Sequence, residues 1–114
     1  MVNKPLRGQI WWVRLDPTEG REQAKTRPCL IISNNLFNAG PSELIVVAPL
    51  TSREKKIDWR IKVQASNAAL KDSWIMTDQI RTISVSRLAG SSLGTVSDET
   101  MEQVEVLVRV LLDL

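Results

Sequence analysis

The chain contains no histidine and no tyrosine, and has one cysteine, one phenylalanine, five glycines and five prolines among 114 residues. Without histidine there is no Ser-His-Asp or Cys-His triad, no imidazole acid–base pair and no histidine-bearing zinc site. A single cysteine closes no internal disulfide and makes no four-cysteine zinc site. Cys29 falls in an apolar run and reads as a small buried hydrophobe rather than a catalytic thiol, which fits a reducing compartment. No apolar run approaches the roughly 20 residues needed to span a bilayer. The bases near the N-terminus precede no apolar stretch, so no secretory leader and no membrane association are predicted, and the expected location is the cytoplasm. The glycines form no phosphate cradle, because neither GxGxxG nor GxxxxGK[ST] occurs.

Apolar residues make up 43% of the chain. Its length is near the common size of one domain and suffices to bury roughly two-thirds of the unfolded surface. No repeat, low-complexity tract or linker divides it, so residues 1–114 are read as one domain. The net charge of +2 hides an asymmetry. Asp98, Glu99, Glu102, Glu105 and Asp113 oppose only Arg109, which puts −4 on residues 98–114 and leaves +6 on the rest. A basic body attracts polyanions, although this excess alone does not single out nucleic acid.

Short strands dominate. Gly8 to Leu15 reads as a first strand with both faces covered. Asp16 to Thr26 has almost no apolar side chain and is expected to be an exposed, mobile loop. Pro28 to Ser33 is a second strand, with Pro28 at its start or on an edge. Asn34 to Ala39 is a short turn or 3-10 segment. Glu43 to Ala48 is a third strand buried on both faces, ended by Pro49. Arg53 to Asp58 is a charged turn. Trp59, Ile61 and Val63 alternate with Arg60 and Lys62, the pattern of a strand with one wet face. Asn67 to Leu70 reads as a turn or helical fragment. Trp74 to Ile83 is a strand, or a bent pair interrupted near Asp78. Ser84 to Leu88 is a short helical turn ended by Ala89-Gly90.

Ser97 is placed to cap a final helix, with Asp98 and Glu99 at its positive end. Met101, Val104, Leu107, Val108, Leu111 and Leu112 recur at three- and four-residue spacing and predict about 15 helical residues with an apolar face. The alternation of Val104, Val106, Val108 and Val110 also permits a strand, but the capping sequence favours the helix. Five or more short strands with one helix suggest a small closed or nearly closed barrel.

With no histidine, an enzyme built on this chain depends on arginine, lysine, carboxylate or hydroxyl groups. It is best suited to a reaction whose nucleophile the substrate already carries. RNA cleavage by its own 2′-hydroxyl is such a reaction, and a guanidinium matches the charge that builds on the phosphorus-bound oxygens. Polar residues gather beside strand ends, in Gly20-Arg21-Glu22-Gln23-Ala24-Lys25-Thr26-Arg27-Pro28, Pro49-Leu50-Thr51-Ser52 and Asp78-Gln79-Ile80-Arg81-Thr82.

At these blocks the chain resembles the MazF/PemK toxin family, the RNA-cleaving halves of bacterial toxin–antitoxin pairs. The likeness begins at Gly8-Gln9-Ile10-Trp11-Trp12-Val13. It continues through Gly20-x-Glu22-Gln23-x-x-x-Arg27-Pro28-x-Leu30-x-Ile32-Ser33, Pro49-Leu50-Thr51, Asp78-Gln79-Ile80-Arg81-Thr82-Ile83, Arg87-Leu88 and the acidic-capped helix. It therefore covers nearly the whole chain. The resemblance implies a mainly β fold, a small SH3-like barrel of the plasmid-maintenance toxin type with short helices and a C-terminal α-helix, active as a homodimer. It implies metal-independent, cofactor-free cleavage of single-stranded RNA at a short sequence, leaving 2′,3′-cyclic phosphate and 5′-hydroxyl ends. Arg27 and Thr51 fall on the family's catalytic arginine and threonine. Glu22, Gln23, Ser52, Arg53, Asp78, Gln79 and Arg81 become candidate substrate contacts, and an acidic, partly disordered antitoxin becomes the expected partner.

The chain also departs from the family. Ala24-Lys25-Thr26 stands where a glycine is common, Met76 stands where the plasmid branch carries an arginine, and that branch's first-loop histidine is missing. Plainer readings remain beside the sharp ones. Asp78, Gln79 and Arg81 suit a structural hydrogen-bond network as well as RNA. Arg53, Lys55, Lys56, Arg60 and Lys62 suit a solvated hairpin as well as an RNA path. Trp11, Trp12, Trp59 and Trp74 read mostly as core or interface, with one exposed indole able to stack a base. The competing functions are a toxin that binds a protein target such as gyrase and a nucleic-acid-binding barrel without catalysis.

Overall fold

The computed structural model describes residues 4–15, 25–53, 56–63 and 70–114. Seven antiparallel strands and a C-terminal helix carry the fold. The strands are β1 (Gln9–Arg14), β2 (Thr26–Ile31), β3 (Leu44–Thr51), β4 (Arg60–Val63), β5 (Ser73–Met76), β6 (Arg81–Ser84) and β7 (Leu88–Thr95). A one-turn helix α1 (Asn35–Asn38) precedes β3, single 3-10 turns at Thr77–Gln79 and Val85–Arg87 flank β6, and α2 (Asp98–Leu112) closes the chain. The strands run in the order β4-β5-β3-β2-β1-β7, with β6 also paired to β3. The ends of this path, β4 and β7, are not joined by a pairing among the described residues.

Period-two alternation sorts the apolar side chains onto two faces. Ile10, Leu30, Ala48, Leu50, Ile61 and Ile75 form one core layer with Val104 of α2. Trp11, Val13, Leu15, Cys29, Ile31, Ile45, Val47 and Ile83 form the other. β1 and β3 are thus covered on both faces, as their continuous apolar runs predict. The helix begins as expected, with the Ser97 side chain accepting from the Thr100 N–H at 3.1 Å and Asp98 and Glu99 in the first turn. Met101, Leu107 and Val108 pack against the first layer, whereas Leu112 stays half-exposed.

Four boundaries differ from expectation. β2 starts at Thr26, so Pro28 lies inside a strand, paired with Trp12. β3 runs through Pro49 to Thr51. Both prolines are tolerated because the ladder changes there. The β2–β3 pairing extends only from Ile31↔Val47 to Cys29↔Pro49, and the other edge of β3 passes from β6 to β5 between Val47 and Leu50. Trp59 belongs to a turn before β4. β7 has no strand signal in the sequence, since it consists of Leu-Ala-Gly-Ser-Ser-Leu-Gly-Thr. Its pairing to β1, with a register shift between Ile10 and Trp12, supplies the order that its residue types do not. The expected loop before Thr26 lies, up to Ala24, outside the described residues, as does the predicted turn from Asn67, up to Ala69.

Candidate active site

The site lies where β2 and β3 part. Arg27 is the second residue of β2, half-buried and opposite Val13 of β1. Counting one same-face step beyond Cys29↔Pro49 puts Thr51 level with Arg27, but the β2–β3 pairing stops before that rung, while on its other edge Thr51 pairs with Trp74. Residues directly opposite on antiparallel strands point to the same face. Arg27 and Thr51 therefore share the face of Cys29 and Val47. Thr51 is only 9% exposed, and its Oγ1 accepts from the Arg53 N–H at 3.2 Å, a bond that ties the site to the chain leaving β3.

The parted strand ends enclose a cleft of about 290 Å³. Trp12, Leu50 and Leu70 give it an apolar wall, and Lys25, Arg27 and Lys71 add positive charge. Ser52 also lines it, and no carboxylate does so among the described residues. Arg53 is exposed beside it in sequence.

Arg81 joins the same face from β6, where it pairs with Val47. Its Nη1 is buried and has no hydrogen-bond partner among the described residues. Burying a guanidinium nitrogen without a partner is costly. Cys29 lies between the two arginines in its electrostatics. Burial pushes the thiol up to about 12, while the Arg81 and Arg27 charges oppose that rise. The thiol is neutral at physiological pH and is no nucleophile.

Asp78 is engaged elsewhere. Its carboxylate lies 3.2 Å from Arg60 Nε, an approach that pairs the charges without aligning a hydrogen bond, and Arg60 Nη2 donates to its second oxygen at 3.4 Å. Arg60 is thereby fixed to the 3-10 turn between β5 and β6 rather than turned outward along the hairpin. Gln79 is half-buried on that turn. Glu22, Gln23 and Lys55 lie outside the described residues. No three His, Cys, Asp or Glu residues gather as a metal site among the described residues. No helix there is long and apolar enough to cross a membrane.

The structure therefore brings Arg27, Thr51 and Arg81 to one sheet face and Ser52 to the adjoining cleft. It adds Trp12, Lys25 and Lys71, which sequence reading did not place in the site. Lys25 stands two residues from Arg27 in the polar block before β2, whereas Trp12 and Lys71 reach the cleft from elsewhere in the chain, Trp12 through its pairing with Pro28.

Such a site defines a small antiparallel β protein with a cationic cleft at a break in its sheet, a surface suited to an anionic chain. Residues 6–112 match the family described as PemK-like, MazF-like toxin of type II toxin-antitoxin system. Endoribonuclease MazF9 of Mycobacterium tuberculosis is 34% identical over 114 residues, covering 95% of this chain and 96% of that protein. A crystal structure of MazF from Deinococcus radiodurans superposes with a TM-score of 0.89 over 99% of this chain and 100% of that one, at 23% identity, a likeness of fold. A mycobacterial endoribonuclease solved in complex with its cognate antitoxin gives a TM-score of 0.77 at 28% identity, over 96% of each chain. The chain belongs to the MazF/PemK toxin family.

Proposed function

We propose that this chain is a toxin endoribonuclease that cuts single-stranded RNA without a metal ion or cofactor. The observation that carries the reading is the placement of Arg27 and Thr51 on one sheet face at the parted ends of β2 and β3, beside a cationic cleft that no carboxylate lines among the described residues. In the proposed reaction the 2′-hydroxyl oxygen on the 5′ side of the cut attacks phosphorus. The 2′-hydroxyl gives up its proton, and the 5′-oxygen of the next nucleotide leaves and takes one up, so no net proton is gained or lost. The products are a 2′,3′-cyclic phosphate and a 5′-hydroxyl, and no water is consumed.

Arg27 donates its planar N–H fork to the non-bridging oxygens, where charge rises in the transition state. Arg81, level with Val47 on β6, adds a second positive charge on that face. Thr51 orients the attacking hydroxyl or a phosphate oxygen, for an unactivated threonine is no nucleophile. Arginine is a poor base at neutral pH, so its role is to stabilise charge. Ser52, Arg53 and Gln79 extend the contact surface, with Glu22 and Gln23 as further contacts, while Asp78 acts through Arg60.

The same reading makes the working form a cytoplasmic homodimer on an SH3-like barrel, held in check by an acidic antitoxin. The relative solved with its cognate antitoxin supports that last element. The test is to incubate purified protein with single-stranded RNA in excess chelator. Discrete fragments ending in cyclic phosphate are expected. Intact RNA under these conditions, or cleavage that chelator abolishes, refutes the metal-free mechanism. Growth arrest with intact cellular RNA would point instead to a protein target, and tight, salt-sensitive binding without cleavage to a non-catalytic binder.

A further inference from the structure

Strand pairing singles out one tryptophan. Trp11 is 3% exposed and belongs to the core. Trp12 pairs with Pro28, so it stands on the sheet face opposite to Arg27. Trp59 lies in the turn before β4. Trp74 of β5 is half-buried and pairs directly with Thr51. Directly opposed residues on antiparallel strands share a face, with their Cβ atoms about 5 Å apart. Trp74 therefore joins Thr51, Arg27 and Arg81 on one side of the sheet, next to the threonine.

The next strand extends this row. Lys62 of β4 pairs with Trp74 from its other side, is exposed, and holds its Nζ over the indole at 5.7 Å from the ring centroid. That is within cation–π reach, but an exposed ammonium gains little from a ring, whereas a nucleobase stacked on the ring gains more. The ammonium sits on a flexible four-carbon stem, so it can leave the ring for a phosphate while a base takes its place. An anionic chain that also carries flat aromatic groups matches the row of Lys62, Trp74 and Thr51, and single-stranded RNA is such a chain. With Trp74 one strand spacing from Thr51, a base stacked there belongs to a nucleotide bordering the phosphate that Thr51 meets.

We propose that Trp74 stacks the base of a nucleotide bordering the scissile phosphate, with Lys62 passing from the indole to that nucleotide's phosphate. The row of Lys62 and Trp74 is then a base subsite set beside the chemistry, and it helps decide where RNA is cut. This inference rests on the endoribonuclease reading, and its test separates the two.

The cut site is first mapped with the wild-type protein, and binding is then measured to an oligoribonucleotide blocked there by a 2′-O-methyl group. Trp74→Phe keeps a stacking face and should bind within a few-fold of wild type. Trp74→Leu keeps apolar bulk without a π face and should bind roughly five- to a hundredfold more weakly, with an unchanged salt slope. Lys62→Gln should instead lower that slope by about one phosphate contact, and an unchanged slope removes Lys62 from the subsite. Removing the base on one side of the cut should weaken wild-type binding about as much as Trp74→Leu does, and should weaken Trp74→Leu no further. The wild-type abasic comparison decides even where Trp74→Leu does not fold, which circular dichroism reports. The subsite is overturned if the wild-type protein cleaves RNA yet binds oligonucleotides lacking either flanking base as tightly as the intact one. It is also overturned if folded Trp74→Leu matches wild type in affinity and cut position, or if its loss and the loss from base removal simply add. A wild-type protein that cleaves no RNA overturns the endoribonuclease reading and the subsite with it.

Discussion

The Arg81 guanidinium on β6 acts on the Cys29 thiol on β2 across the intervening β3, and burial outweighs that attraction, holding the thiol up to about 12 from its ordinary 9.0. The folded protein therefore keeps this proton at pH values where the unfolded chain releases it. The contribution to stability is fully present below pH 9 and is lost as pH rises towards 12. The slope it adds is about 1.4 kcal/mol per pH unit. Cys29→Ala should lack that slope, so the stability difference between wild type and variant should change steadily between pH 9 and 12 in urea titrations. A constant difference would contradict the burial. At pH 8 a thiol reagent should label Cys29 only after unfolding.

Arg27→Ala should lower kcat for RNA cleavage by about a hundred- to a thousandfold, the usual effect of losing a donor aimed at developing charge. Arg27→Lys keeps the charge and loses the planar fork, so it should recover only a small part. Thr51→Val preserves shape but removes the acceptor of the Arg53 N–H, and should cost about tenfold or more in kcat with the fold intact. Cleavage end-mapping and circular dichroism decide each case. Full activity in folded Arg27→Ala would remove Arg27 from the central role.

These assignments show which features a linear reading reaches. The 15-residue α2, its Ser97 cap and the break at Thr77–Gln79 are visible because capping chemistry and periodicity are local. Arg27 and Thr51 are visible only through family resemblance, since nothing in either block shows that the two share a sheet face. β7 is hidden because Gly90, Ser91, Ser92 and Gly94 have no strand preference, and pairing with β1 overrides it. Trp12 is hidden for a different reason. The apolar pattern of β1 treats Trp11 and Trp12 alike, and only the departure of β3 from β2 leaves one of them lining a cleft.

Asp78→Asn should destabilise the protein by about 2–3 kcal/mol. The Arg60 side chain is 10% exposed and that of Asp78 26%, so removing one charge strands the other in partial burial. Arg60→Met together with Asp78→Leu should recover much of that loss, because apolar side chains of similar size leave no unpaired charge. Urea titrations of the single and double variants give the coupling. Additive losses would show that the pair is not a unit.

The docking of α2 sets burial against charge. Val104 is 2% exposed at the centre of the helix contact, and Val104→Ala removes two methyl groups from a closed layer at about 0.8 kcal/mol each. With the cavity added, the cost should be about 2 kcal/mol. Glu105 is the neighbouring residue and meets Arg7 Nη2 at 2.5 Å, but the two side chains are 43% and 34% exposed and water screens the pair. Glu105→Ala should cost below about 1 kcal/mol and less still at high salt. Arg7→Ala also removes a hydrogen bond to the Ile32 carbonyl at the end of β2, which places it between the other two. The expected order of loss is therefore Val104→Ala, Arg7→Ala, Glu105→Ala, with salt dependence only in the last two. If Glu105→Ala exceeded Val104→Ala in urea titrations at moderate salt, charge rather than apolar burial would hold the helix to the sheet.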